Sequence, residues 1–154
     1  MFRCLVALIL LAWFACPAWA EPITPTRLEQ CPVTPTGAVP PSGCRATDVG
    51  GVDPQGRLIE LRAWFDMPAE RIAREPLALY LSGKGASIVR LNGVVIGRNG
   101  VPAASAEQER AGRMDAQFYL PPRLLHEGAN RITIRMSARQ GLFRLGQPAH
   151  AILI

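Results

Sequence analysis

This sequence predicts an all-β fold, an antiparallel sandwich of the jelly-roll kind with about eight strands. Three observations carry the expectation. Several short stretches alternate apolar and polar residues with a period of two, the mark of half-buried strands. Tight-turn chemistry such as Asn92-Gly93 and Asn99-Gly100 punctuates them at short spacing. No stretch shows the pattern of a long amphipathic helix, so helical content is limited to short turns.

The chain opens MFRCLVALILLAWFACPAWA. Arg3 supplies a positive start, Leu5 to Ala15 an apolar run, and Ala18-Trp19-Ala20 a small-x-small cleavage site, so residues 1–20 read as a signal peptide cleaved after Ala20. The run of roughly a dozen apolar residues is short of the ~20 that a spanning helix needs, which argues against the rival reading of an uncleaved anchor. Phe14-Ala15-Cys16 hints at a lipoprotein signal, but Trp13 stands where such a signal has Leu. No later apolar run is long enough to span a membrane. A signal peptide places the protein in the periplasm or outside the cell.

Cys4 and Cys16 leave with the signal. The remaining pair, Cys31 and Cys44, is expected to form a disulfide in an oxidising compartment. It would close the Pro-rich loop CPVTPTGAVPPSGC, and loop entropy puts its contribution at roughly 3 kcal/mol. A metal pair or a redox pair is the alternative. With no CxxC, and only His126 and His150 elsewhere, neither is favoured, and no metal or other cofactor is expected. Formal net charge is +5, and Lys84 is the single lysine, so the positive charge is almost all Arg. The arginines are spread along the chain among acids, without the clustered stripe that nucleic-acid binding requires.

Residues 21–44 read as an irregular Pro-rich lead-in, and 45–154 as the sandwich domain. Asp53-Pro54-Gln55-Gly56 is a turn. In RLIELRAWFDM, Ile59, Leu61, Ala63 and Phe65 share one face, with Glu60, Arg62, Trp64 and Asp66 on the other. PLALYLSG places Leu77, Leu79 and Leu81 together, and Gly83-Lys84-Gly85 turns the chain. ASIVRL and VVIGR flank Asn92-Gly93, whose tolerance of positive φ suits a type I′ hairpin. Residues 101–113 are a loop or one to three helical turns. AQFYLP is a strand, Pro121 to His126 one helical turn closed by Gly128, and ANRITIRMS a strand with Ile132, Ile134 and Met136 inward. LFRL and AHAILI supply the final strands.

The series IVRLNGVVIG (88–97), AQFYLP (116–121) and LLHEGANRITIR (124–135) resembles galactose-binding-like jelly rolls. These include accessory domains of glycoside hydrolases. The series is also similar to the periplasmic sensing domains of bacterial seven-transmembrane diverse-intracellular-signalling receptors and histidine kinases. The resemblance covers roughly residues 75 to 138. It implies a ligand-sensing role, as a free-standing periplasmic relative or as the front piece of a longer receptor. Its Gly and Asn residues serve turns, so it speaks to fold more than to function.

Catalytic constellations are thin. Asn92 and Asn130 suit a sugar site, but a hairpin and a strand start explain them. Asp115 and Glu127 would make a glycosidase pair only if they faced each other across a cleft, and surface acids are the simpler reading. His126, Ser137 and Asp115 lack the nucleophile elbow of a hydrolase triad. No catalytic residue is assigned. Trp64, on the outer face between Arg62 and Asp66, is a candidate for stacking on a sugar or anchoring a partner. Arg98, Asn99, Arg113 and Asp115 bracket the 101–112 loop, and the two arginines could grip a carboxylate or sulfate in planar, bidentate geometry.

The expectation is therefore a non-enzymatic module that binds a carbohydrate or a small anionic ligand at Arg98, Asn99, Arg113, Asp115 and Trp64. The alternative is an interaction domain that docks an envelope protein through an apolar patch near Trp64 or the strand Ala149 to Ile154. A glycoside hydrolase ranks third.

Overall fold

The computed structural model describes residues 22–40, 42–74, 76–83, 85–139 and 152–153. The signal peptide, Lys84, the LFRL stretch and His150 lie outside the described residues.

Alternation of side chains makes each strand two-sided, and the apolar sides meet. Ile59, Leu61, Ala63, Phe65 and Met67 line one face of β3 (Leu58–Met67), and all are buried. Ile132, Ile134 and Met136 do the same on β8 (Gly128–Ser137). The two strands pair antiparallel along their full length, from Leu58↔Ser137 to Met67↔Gly128. They form the spine of a six-stranded sheet in the order β2-β1-β3-β8-β5-β6. Its other members are β1 (Arg27–Pro32), β2 (Arg45–Ala46), β5 (Ala86–Leu91) and β6 (Val94–Asn99). The second sheet is β7-β4-β9, from β7 (Ala116–Leu120), β4 (Leu77–Leu81) and β9 (Ile152–Leu153). Leu77, Leu79, Leu81, Phe118 and Leu120 bring its apolar face against the larger sheet, so the core is one continuous cluster between two antiparallel layers. This is the all-β sandwich that the alternation predicts.

The turns follow their local chemistry. Asn92 and Gly93 both have positive φ, 48° and 90°, as the β5–β6 hairpin requires. A bulge on β6 accompanies the register shift at Val89/Arg90. Gly97 faces the ring of Phe118, and a Cβ there would lie 2.4 Å from Phe118 Cδ1, so the two sheets close onto each other through a missing side chain. Among the described residues, regular helix is limited to α1 (Ala69–Arg74) and a 3-10 turn at Pro122–Leu124, the latter within the stretch expected to form one helical turn.

The lead-in is a correction. Residues 27–32 are not irregular: they form β1, paired with β3 from Arg27↔Trp64 to Pro32↔Ile59. Leu28 and Gln30 face inward and Arg27 and Glu29 outward. The buried polar Gln30 disguises the alternation, and the flanking prolines suggest a loop. The Cys31–Cys44 disulfide forms as expected, and joins the end of β1 to the residue before β2.

Candidate functional site

The 100–115 segment is held at the edge of the sandwich by its own backbone and by the side chains of Asn99, Glu109, Ser137 and Arg139. Gly100 turns the chain at φ 74°, and Val101 and Arg110 then exchange backbone hydrogen bonds of 2.8 and 3.0 Å. The Asn99 amide clasps the far end: its Nδ2 donates to the Arg113 carbonyl and its Oδ1 accepts from the Arg113 N–H, both at 2.8 Å. Gly112 is packed so closely that a Cβ would come within 2.3 Å of the Gly85 oxygen. The strap is a loop that holds one helical-type turn, in which the Glu109 N–H donates to the Ser105 carbonyl at 3.2 Å.

Its middle is anchored by a buried acid that the sequence reading did not single out. Glu109 is 3% exposed. Its Oε2 accepts a short hydrogen bond from the Ser137 hydroxyl, and its Oε1 accepts from the Arg139 N–H at 2.8 Å. Ser137 Oγ in turn accepts from the Ala103 N–H at 3.1 Å, and Arg139 Nε donates to the Ala103 carbonyl at 3.3 Å. A glutamate in a polar AEQER run gives no sequence sign of burial; only the tertiary position of the strap makes one. Nearby Glu107 is exposed, and hydrogen bonds from backbone and from Ser105, with Arg139 close by, hold its carboxyl below the ordinary value of 4.5.

Four of the candidate residues come together. Arg98, Asn99, Arg113 and Asp115 line one hollow of about 260 Å³, with Met114 and Phe118 in its wall. Their polar atoms are unequally available. Asn99 is occupied with Arg113. Asp115, at φ 54°, accepts from Ser82 Oγ at 3.0 Å and from the Gly83 N–H at 3.4 Å, which ties the start of β7 to the end of β4. Neither the Arg98 nor the Arg113 guanidinium has an acidic partner among the described residues.

Trp64 stands apart from this hollow. It lies on the outer face of the large sheet, cross-strand from Arg27 and Arg131. The Arg27 guanidinium carbon sits 4.7 Å from its ring centroid, a cation–π contact that covers part of the indole. It borders a different, open hollow of about 380 Å³ with Asn92, His126, Asn130 and Arg131. The two asparagines are occupied there. Asn130 Oδ1 accepts from Asn92 Nδ2 and the His126 N–H, both at 2.9 Å, and its Nδ2 donates to the carbonyls of His126 and Gly128. Asn92 Oδ1 accepts from the Arg131 N–H at 2.8 Å. These amides splice the hairpin tip to the start of β8.

Asp115 immediately precedes β7 in the small sheet and Glu127 immediately precedes β8 in the large one, while His126 and Ser137 lie at opposite ends of β8. A third hollow, of about 370 Å³, opens beside the disulfide, where Gln30, Pro32, Val33, Arg45, Arg57 and Arg139 meet. Glu29 and the two disulfide sulfurs lie within 4.8 Å of one another, but sulfurs bonded to each other offer a metal no thiolate.

Comparison with protein-family models, with curated proteins and with solved structures returns no match.

Proposed function

We propose that this chain is a non-enzymatic, extracytoplasmic recognition module that binds a carbohydrate or a small anionic ligand on a preformed β scaffold. The resemblance to galactose-binding-like sensing domains supports a jelly-roll reading and a role as the front end of a receptor or histidine kinase. The signal-like residues 1–20 support export. The disulfide is compatible with it, and among the described residues no helix is long and apolar enough to cross a membrane.

The observation that carries the reading is the hollow at Arg98 and Arg113. Two arginines from separate stretches of chain border it, and no described acid neutralises either. Their planar donors suit a carboxylate or sulfate. Asn99 and Asp115 act as braces that hold the walls, and Trp64 belongs to another surface. Asp115 lines the Arg98–Arg113 hollow and Glu127 does not, which supports recognition rather than glycoside hydrolysis, a reaction that needs two carboxylates facing each other across one cleft.

A thermal-shift screen of the oxidised protein against sugars, uronic acids and small anions tests this. A ligand of the native state raises the melting temperature by mass action. Arg98→Ala or Arg113→Ala should weaken such a ligand about tenfold, the effect of one charge-assisted hydrogen bond. A stabilising ligand indifferent to both substitutions would sink the assignment of the site.

A second reading, docking to an envelope protein, is favoured by exposed apolar residues on and beside β6 and β7: Val94, Val95, Met114 and Tyr119, the last two more than half exposed. Of the two places the sequence suggested, Trp64 is half-buried beside Arg27, and most of the strand Ala149 to Ile154 lies outside the described residues. Val95→Asp would abolish capture of such a partner and leave anion binding intact.

A further inference from the structure

Among the described residues the two sheets are unequal, six strands against three, and the smaller is too narrow to cover the inner face of the larger. Beside β1 the cover passes to the 47–57 connection, which buries Val52 and Pro54 and is tied down where the Asp53 N–H donates to Gln30 Oε1 at 3.3 Å. At this margin lies the hollow of about 370 Å³ next to the disulfide.

We propose that this hollow is a second binding site, for a compact ligand that presents a phosphate, sulfate or carboxylate group. Three arginines from three distant stretches border it: Arg45 on β2, Arg57 before β3 and Arg139 after β8. Among the described residues no carboxylate lines it. The acids that steady the cations stand outside its lining: Asp53 Oδ2 accepts from Arg57 Nη2 at 2.8 Å, and Glu107 lies close enough to Arg139 for its carboxyl to feel the charge. Arg45 has no acidic partner among the described residues. Like charges converge only against their mutual repulsion, which an oxyanion in the hollow relieves. Gln30 adds a neutral donor. Its side chain is buried, its oxygen is engaged by Asp53, and its Nε2 has no partner among the described residues. Pro32 and Val33 give the apolar wall that a small ligand's carbon body needs, and the volume falls at the low end of small-molecule sites.

The disulfide adjoins this site. Pro32 follows Cys31, and Gly43 and Arg45 flank Cys44, so the bond holds two stretches of the lining together. Reduction leaves Arg45 held only by the two-residue pairing of β2 with β1, and affinity then depends on the redox state of Cys31 and Cys44. The site is independent of the Arg98–Arg113 hollow, and either can fail without the other.

Titration of the oxidised, isotope-labelled protein with sulfate, inorganic phosphate or glucuronate, with glucose at matched ionic strength as the neutral control, tests the assignment. The three anions distinguish the oxyanion types. The expected result is saturable shifts at the amides of Gln30, Val33, Gly43 and Arg45 with at least one anion and none with glucose. Arg45 is exposed on a two-residue strand, so Arg45→Ala keeps the fold; it should weaken binding about tenfold. Arg98→Ala should leave these shifts unchanged. Reduction, or Cys31→Ser with Cys44→Ser, should abolish them while the shift dispersion of β3 and β8 persists. The proposal is overturned by silence of these amides at millimolar anion, by shifts confined to Arg98 and Arg113, or by affinity that Arg45→Ala leaves unaltered.

Discussion

Asn130 is 2% exposed and commits its whole amide to neighbouring chain: the His126 N–H, the His126 and Gly128 carbonyls and the Asn92 side chain. Truncation would strand those groups away from water. Asn130→Ala should therefore lower stability by about 3 kcal/mol in urea denaturation. A loss within experimental error would mean that water replaces the amide. Gly97 makes the opposite case, where addition harms. Its Cβ would meet the Phe118 ring at 2.4 Å, and a buried ring has little room to retreat. Gly97→Ala should cost about 2 kcal/mol by overpacking, measured the same way. Glu107 carries a pH signature. Its folded pKa is lowered, so its contribution is complete above the ordinary value of 4.5 and is lost only as the pH falls through the lower folded value. Its carboxyl resonance should titrate with a midpoint below 4.5. At this scale the sequence was legible where one residue type answers one backbone need, as at Asn92-Gly93. It was silent about Glu109, because nothing local distinguishes a glutamate that will be buried from one that will not.

The strap from Gly100 to Arg113 shows what an element without regular structure depends on. A backbone bridge at Val101 and Arg110, the Asn99 clasp and the Glu109 anchor replace the ladder it lacks. Glu109→Ala removes the acceptor for both the Ser137 hydroxyl and the Arg139 N–H. Amide hydrogens of residues 101–110 should then exchange much faster, while those of β3 and β8 keep their protection. Uniform acceleration across the molecule would make the strap part of the global folding unit instead. Long strands were easy to read, since Ile59 to Phe65 on β3 and Arg131 to Met136 on β8 alternate apolar with mostly polar residues. β1 was hidden because the inward position at Gln30 is polar. Its burial depends on a hydrogen bond from Asp53, a partner that alternation cannot reveal. The convergence of Arg98, Asn99, Arg113 and Asp115 was legible because they bracket one loop, and loop ends must come together. Arg45, Arg57 and Arg139 were not, since the sheet order alone assembles them.

For the molecule as a whole, the outer face of the large sheet works as a charged lattice rather than a free surface. Glu60, buried at 8% exposure, accepts from Arg62 Nη2 at 3.0 Å and from Arg135 Nη2 at 3.2 Å. Register sets this arrangement, since Glu60 pairs with Cys31 on one side and Arg135 on the other. The Pro-rich loop closed by the disulfide sits over the same corner, where Gly37 approaches Arg135. Removing both cysteines should reduce global stability by about 3 kcal/mol on loop-entropy grounds. A calorimetric melt of the Cys31→Ala, Cys44→Ala protein checks the figure, and an unchanged melting temperature would mean that the β1–β3 pairing alone holds the loop.

The position of β8 decides how this protein comes into being. It lies between β3 and β5 in the sheet but follows both in the chain, as well as α1, β4, β6 and β7. A growing chain can close the β5–β6 hairpin and lay β1 against β3 as soon as these segments exist. It cannot join the two halves until Gly128–Ser137 has been made. Until then β3 and β5 each present an unsatisfied edge, the form of strand most prone to pairing with a wrong neighbour. Such high contact order makes acquisition of the native state slow, on the scale of milliseconds to seconds once the chain is whole. A chain stopped before Gly128 should yield no folded remnant, only aggregate, and rescue should require the missing strand supplied as a peptide.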